Sequence, residues 1–193
     1  MTLSNHYKKW LEACDLLAPM FSTCSRRQYF AVVIDEHKRV AGLGYNGAPP
    51  NMTHCVDGGC PRGSSSVIHG SSYDSPEGFC VAQHAEAGAL LYSDAMRRRG
   101  ATLVVNGPPC FECARLIASS GIRLVVHFVD AEYDWYPVRK FLLKAGVGVV
   151  SCVRGVWPEV VVREVGSQEY AREKYGLVAN NITNKVYEKY QNL

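Results

Sequence analysis

The feature that most restricts this chain is a set of four side chains in two short patterns, His84-Ala85-Glu86 and Pro109-Cys110-Phe111-Glu112-Cys113. One imidazole and two thiolates fill three corners of a tetrahedral Zn²⁺ site and leave the fourth to water, the arrangement of a catalytic rather than a structural zinc. Any fold the chain adopts must bring residue 84 against residues 110 and 113. Each pattern stands where the sequence predicts a helix to begin. A helix start carries partial positive charge, which favours the thiolates of Cys110 and Cys113. Glu86 is too close in sequence to His84 to share its ion, but it can border the bound water and carry its proton. A lone C-x-x-C reads equally well as a zinc knuckle or a redox pair; the H-x-E upstream argues against both. The H-E-x-x-H of zinc proteases is absent from the sequence.

Composition narrows the setting. A length of 193 residues, 47% of them hydrophobic and 20% charged, makes one compact domain with modest extensions. Lys+Arg 21 against Asp+Glu 18 leaves a net charge of +3, too little for a long nucleic-acid partner but compatible with a small anionic ligand. No apolar run reaches membrane-spanning length, so no membrane partner is expected. Lys8, Lys9, Glu12 and Asp15 interrupt any N-terminal secretory leader. Eight cysteines without such a leader fit a reducing cytoplasm, where thiols act as metal ligands or as small core hydrophobes. Cys14 and Cys152 read as the latter.

The spacing of Trp10, Leu11, Cys14, Leu17 and Ala18 predicts an amphipathic helix over about residues 4–19. Residues 29–35 and 40–44 read as a hairpin around the polar turn Glu36-His37-Lys38. Helix is predicted over 83–99, 111–119 and 138–145, and strand over 102–105, 124–129 and 147–153. Strands alternating with helices of this length imply crossover connections, hence an α/β fold: a three-layer α/β/α sandwich with a mixed sheet of about five strands. The domain spans 1–157, with an insertion at about 51–80. Residues 158–193 form an extension of unassigned role, containing a strand-like Val160-Val161-Val162 and helical stretches near 169–175 and 184–190. Arg97-Arg98-Arg99 reads as a solvated helix end. Tyr133, Trp135 and Tyr136 read as core or interface packing, with cover for a bound base as the alternative.

Between Gly58 and Gly78, thirteen of twenty-one residues are Gly, Ser or Pro. Ordering each costs roughly 1–2 kcal/mol of backbone entropy, which Val67, Ile68 and Tyr73 cannot offset. Cys55, Cys60 and Cys80 bracket the segment, and a tetrahedral zinc contributes on the order of 10 kcal/mol. A second, structural zinc is therefore expected. His69, His54 or Cys24 could be its fourth ligand, and spacing leaves that choice open; free buried thiols are the alternative.

Cys24-Ser25-Arg26-Arg27, Gly44-Tyr45-Asn46-Gly47-Ala48-Pro49, the two metal patterns and Ser120-Gly121-Ile122 together resemble the deoxycytidylate (dCMP) deaminases of the cytidine-deaminase-like superfamily. The resemblance runs from Cys24 to about Val153. The metal patterns identify only the superfamily; the G-Y-N-G-A-P loop and C-S-R-R narrow it to the nucleotide-level enzymes. It implies a cytidine-deaminase-like fold and hydrolysis of dCMP to dUMP and ammonia in pyrimidine nucleotide metabolism. Zinc-activated hydroxide would attack C4 of the cytosine, with Glu86 as proton shuttle. It further implies a sugar-hydroxyl contact for Asn46, a substrate contact for Ala85, and a 5′-phosphate near Arg26 and Arg27, whose guanidinium forks suit phosphate oxygens. Solvated surface charge is the alternative for the two arginines.

Also implied are a homo-oligomer, up to a hexamer, and dCTP and dTTP as effectors, with residues 97–99 as a place for a regulatory nucleotide. Some phage and bacterial members carry a structural zinc in the insertion. Three places depart from the family pattern: Phe30 stands for the usual Gly, Gly88 for Asn, and Asn106-Gly107-Pro108 for a Thr-Leu-Ser or Thr-Leu-Glu run. They surround the pocket and leave base substituents and phosphate count open. The rival readings are a deaminase of another cytosine nucleotide or nucleoside, including 5-modified dCMP; an editing deaminase of tRNA or single-stranded DNA, whose basic groove a +3 chain hardly supplies; and a non-enzymatic zinc module.

Overall fold

The computed structural model describes residues 4–64, 73, 78–130, 135–154 and 161–162. Its centre is the run Phe-Ala-Val-Val-Ile, apolar at every position, as a strand covered on both faces must be. This strand, β1 (Phe30–Ile34), is buried throughout. It pairs antiparallel with β2 (Val40–Tyr45), across a turn where Lys38 takes φ 64° and the Asp35 carboxylate accepts the Arg39 N–H at 2.8 Å. On its other side β1 pairs antiparallel with β3 (Thr102–Val105). Parallel to β3 follow β4 (Leu124–Phe128) and β5 (Gly148–Cys152). The two-residue β6 (Val161–Val162) closes the order β2-β1-β3-β4-β5-β6. The sheet thus has one short strand more than expected and continues past residue 157.

Helices cover both faces. On one, α1 (Asn5–Phe21) sets Tyr7, Leu11, Cys14 and Ala18 against Phe30, Val32, Val104 and Val126. It runs two residues beyond the predicted end and contains Pro19, which has no N–H to bond the carbonyl one turn back, so the helix gives up one bond in its last turn. Cys14 and Cys152 are buried in this layer, and burial pushes each thiol up to about 12. The other face carries α3 (Ala85–Leu91), α5 (Phe111–Ser119) and α6 (Tyr136–Lys144), packed on Ala31, Val33, Leu103, Val105 and Val125. A short 3₁₀ turn at Cys55–Asp57 and α2 (Pro61–Ser64) belong to the insertion.

The single helix predicted over 83–99 is two, α3 and α4 (Ala95–Arg98). The Ser93 hydroxyl donates to the Leu90 carbonyl at 2.8 Å, and the Asp94 carboxylate accepts the N–H groups of Met96 and Arg97 at 2.9 and 3.0 Å. Such local bonds compete with helix continuation and cap a new one. Arg97 and Arg98 do more than solvate a helix end: Arg97 pairs with Asp35 at 2.7 Å, and Arg98 donates to the carbonyls of Leu90, Ser93 and Ser120. Trp135 is buried and its ring meets His127, as core packing requires, whereas Tyr136 is exposed. Tyr133, His69, Val67, Ile68 and the helical stretches near 169–175 and 184–190 lie outside the described residues. Among the described residues no helix is long and apolar enough to cross a membrane.

Candidate metal and substrate site

The site forms where two helices begin side by side. His84 is the N-cap of α3 and Cys110 the N-cap of α5, with Cys113 in the first turn of α5. The approach of α3 to the sheet is set by two glycines. A Cβ on Gly44 would overlap the Ala85 carbonyl oxygen and the Ala89 nitrogen, and one on Gly42 would lie 2.5 Å from the Ala89 oxygen. Only bare backbone on β2 lets α3 lie this close. The isolated bridge between Gly47 and Gln83 fixes the chain just before His84.

His84 Nδ1 lies 3.3 Å from Cys110 Sγ and 3.5 Å from Cys113 Sγ, and the three atoms fall within 4.8 Å of one another. Tetrahedral zinc with ordinary Zn–N and Zn–S bonds sets its ligand atoms about 3.5–3.8 Å apart, so the donors fit the ion in identity and spacing. The Cys113 N–H points at Cys110 Sγ at 3.4 Å. Hydrogen bonds from Cys113 and His84, with the imidazolium charge, bring Cys110 down to about 4 against the effect of burial. The bond to Cys110 raises His84 to about 9.

Glu86 is 4% exposed and its carboxylate accepts a hydrogen bond from the Cys113 thiol. Burial raises it to about 7, with the His84 charge opposing. A buried carboxyl beside three metal-binding donors can accept and return a proton at that corner. Ala85 is fully buried beneath it.

The approach segment 24–29 brings further groups. The Arg27 guanidinium bonds Asp130 at 2.7 Å and donates to the Tyr29 hydroxyl at 3.5 Å. Arg26 is exposed. Asn46 is 6% exposed: its Oδ1 accepts from the Ser22 hydroxyl and the Tyr29 N–H, both at 2.7 Å, and its Nδ2 donates to the Arg27 carbonyl at 2.7 Å. One Nδ2 hydrogen is left for a ligand. Tyr73 of the insertion sets its ring perpendicular to His84 at 5.3 Å between centroids, under the Arg62 guanidinium at 5.0 Å.

Sequence reasoning missed Tyr29, Asp130 and Arg62. Asp130, at the end of β4, had no signal in its own sequence. Tyr29 had one, because it precedes a strand whose alternate residues face the helices that carry the metal donors.

Away from this trio, Cys55 is hydrogen-bonded to Cys60 and lies within electrostatic reach of Cys24 and Cys80; burial first, then these thiols, push it up to about 12. His54 is exposed. Among the described residues only His84, Cys110 and Cys113 have three donor atoms within 4.8 Å of one another, so no three of Cys24, Cys55, Cys60 and Cys80 share that spacing.

Residues 4–129 match the family described as the cytidine and deoxycytidylate deaminase zinc-binding region. The chain belongs to this deaminase family. A deoxycytidylate deaminase of Mycobacterium phage D29 is 49% identical over 107 residues, covering 55% of this chain and 81% of the phage protein. The deoxycytidylate deaminase of Saccharomyces cerevisiae is 36% identical over 137 residues, 69% of this chain but only 40% of the yeast protein. The crystal structure of a dCMP deaminase from cyanophage S-TIM5, in complex with dCMP and dUMP, superposes with a TM-score of 0.59 at 22% identity, covering 79% of this chain and all of that one. That likeness establishes the deaminase fold, the expected mixed sheet between helical layers.

Proposed function

We propose that the protein hydrolyses dCMP to dUMP and ammonia. The observation that carries this is the meeting of His84, Cys110 and Cys113 at the starts of α3 and α5, bordered by the buried Glu86. His84, Cys110 and Cys113 would hold a zinc ion, which would supply an activated water at neutral pH. Glu86 would take one proton of the attacking water and deliver it to N3 of the cytosine as C4 is attacked, then take the proton of the new C4 hydroxyl and pass it to the amine, which leaves as ammonia. The imidazole and thiolates hold the reacting corner fixed, and Ala85 floors it.

Arg26, exposed at the rim, recognises the 5′-phosphate, and the Arg27–Asp130 pair shapes the adjoining wall. The spare Nδ2 hydrogen of Asn46 meets the sugar hydroxyl. In this proposal Cys24 completes a second, structural zinc with Cys55, Cys60 and Cys80, since it is the sulfur already beside them and His54 faces solvent. The catalytic unit spans 1–157, with β6 of the extension added at the edge of its sheet, and the enzyme works in the cytoplasm as a homo-oligomer with dCTP and dTTP as effectors.

The test is turnover of dCMP, deoxycytidine and a cytosine-containing oligonucleotide by the wild type and Glu86→Gln. Expected is preferred turnover of dCMP and, in Glu86→Gln, retained catalytic zinc with a rate lower by a factor on the order of 10²–10⁴. Activity of Glu86→Gln within tenfold of wild type sinks the assignment. Preference for the oligonucleotide makes the protein an editing deaminase instead.

A further inference from the structure

Beyond the metal donors, the site face holds one more pairing. Ala31 and Val33 of β1, with Leu103 and Val105 of β3, face α3 and α5. Ala31 pairs with Val105, so the same register carried past the strand ends sets Tyr29 opposite Gly107. Asn106 keeps that register: its Oδ1 accepts the Phe30 N–H at 2.9 Å and its Nδ2 donates to the Gln28 carbonyl at 3.1 Å. A Cβ on Gly107 would overlap Tyr29 Cε1 and lie 3.0 Å from Cζ and the hydroxyl oxygen. The Tyr29 ring therefore fills the place of the side chain that Gly107 lacks. Its hydroxyl accepts from Arg27, which in turn holds Asp130. Its ring packs on the same cluster as Ala85, Cys110 and Cys113, and the charge of Glu86 reaches its phenol.

We propose that Tyr29, with the room left by Gly107, is a specificity-determining residue that faces the sugar of the bound nucleotide and selects 2′-deoxyribose over ribose. This rests on the reading of the site as a cytosine-nucleotide site. With the base at Glu86 and the phosphate at Arg26, the sugar lies between them; we place Tyr29 along that interval because it meets Arg27 at one end and packs on the same cluster as Cys110 at the other. The Tyr29 hydroxyl is turned toward the Arg27 guanidinium, at the phosphate end of that interval, so the part of the side chain set against the sugar is ring carbon. A 2′-methylene packs on such a surface, whereas a 2′-hydroxyl loses its water there and gains no partner from the ring. Burying an unpaired hydroxyl in this way is worth on the order of tenfold to a hundredfold in specificity.

The experiment measures kcat/KM on dCMP and CMP, and calorimetric binding of dUMP and UMP, for zinc-loaded wild type, Tyr29→Val, Tyr29→Phe, Gly107→Ala and the double variant Gly107→Ala/Tyr29→Val. Zinc content is determined for each, and Tyr29→Leu replaces Tyr29→Val if the latter does not fold. Expected is a wild-type preference for the deoxynucleotide in both measurements that falls at least tenfold in Tyr29→Val and survives in Tyr29→Phe. Gly107→Ala, which displaces the ring, weakens dUMP binding severalfold, and Tyr29→Val in the same chain restores it. A deoxy preference unchanged within twofold in Tyr29→Val overturns the proposal, as does equal collapse in Tyr29→Phe or a harmless Gly107→Ala. A wild type that binds dUMP and UMP equally overturns it too, with dCMP turnover intact; a wild type that binds neither overturns the nucleotide reading beneath it.

Discussion

Replacing Gly44 by Ala adds one methyl group where β2 meets the backbone of α3. The new Cβ would overlap the Ala85 oxygen and the Ala89 nitrogen and lie 2.8 Å from the Gly88 carbonyl carbon. All three are main-chain atoms, so no rotamer change relieves the overlap. Carbon contacts are comfortable at about 3.5–4.0 Å, and α3 must therefore withdraw by about 1 Å. That helix carries His84 at its N-cap and Glu86 in its first turn. Displacement of catalytic groups by about 1 Å costs on the order of 10²-fold in rate, and overpacking of this kind costs about 1–3 kcal/mol of stability, a fall in Tm of roughly 2–12 °C. Gly42→Ala is the control. Its Cβ meets the Ala89 oxygen at 2.5 Å and Ser93 Cβ at 2.7 Å, so it pushes on the far end of the same helix. Steady-state dCMP deamination, zinc content and thermal melting of both variants are the assay. A comparable Tm loss in both, with a hundredfold loss of kcat/KM in Gly44→Ala and less than tenfold in Gly42→Ala, is expected. Equal catalytic losses, or a Gly44→Ala enzyme within threefold of wild type, would refute the idea that this glycine sets the distance between helix and metal corner.

Arg26→Ala should raise KM for dCMP at least tenfold while leaving deoxycytidine kinetics nearly unchanged, because only the nucleotide carries the charge a guanidinium binds; equal losses on both substrates would make Arg26 structural. Cys60→Ala should halve the zinc content, make the segment from Gly58 to Gly78 more sensitive to protease and lower activity without removing the catalytic metal, whereas one zinc per wild-type chain ends the two-zinc proposal. His127 is completely buried; its Nδ1–H donates to the Phe128 carbonyl at 2.7 Å and its Nε2 faces the Ser151 hydroxyl at 3.2 Å. Burial holds its pKa down at about 4, against 6.5 for an unperturbed histidine. The unfolded chain takes up a proton below about pH 6.5 that the folded chain refuses down to about pH 4, so this contribution is intact above 6.5 and decreases by about 3 kcal/mol across that window. His127→Gln should show a shallower fall in Tm from pH 7 to pH 5 than wild type, and parallel curves would contradict the assignment.

Most of what the sequence made legible lay in short local patterns. The run at β1 and the crossover helices were readable because apolar periodicity is local, and His84, Glu86, Cys110 and Cys113 because ligand chemistry demands those residue types at helix starts. The break between α3 and α4 was also written locally, in Ser93-Asp94, but an uninterrupted run of helix formers on both sides masked it. Other features needed tertiary register. That Tyr29 stands opposite Gly107 follows only once β1 is paired with β3, and that Cys24 comes within electrostatic reach of Cys55 and Cys80 only once the Val56 N–H donates to the Thr23 carbonyl. The Asn106-Gly107-Pro108 departure was visible as a departure, but its complement, an aromatic residue across the strand pair, was not.

The same register explains how a segment without strand neighbours can carry substrate-facing groups. Residues 27–29 run past the end of β2 and residues 27–30 past the end of β3, where extended backbone would leave its polar groups unpaired. Two asparagines replace the missing strands. On the β2 side, Asn46 bonds the Arg27 carbonyl and the Tyr29 N–H; on the β3 side, Asn106 bonds the Gln28 carbonyl and the Phe30 N–H. Each amide supplies one donor and one acceptor, the pair a neighbouring residue's backbone would supply, and successive residues alternate between the two sides as a strand requires. Asn46 belongs to the loop that resembles relatives and Asn106 to the run that departs from them, yet they act on one segment from opposite edges. The sheet is thereby extended by side chains for one more residue pair, enough to set Arg27 and Tyr29 on the wall of the site while leaving the backbone beyond them free to turn toward Arg26.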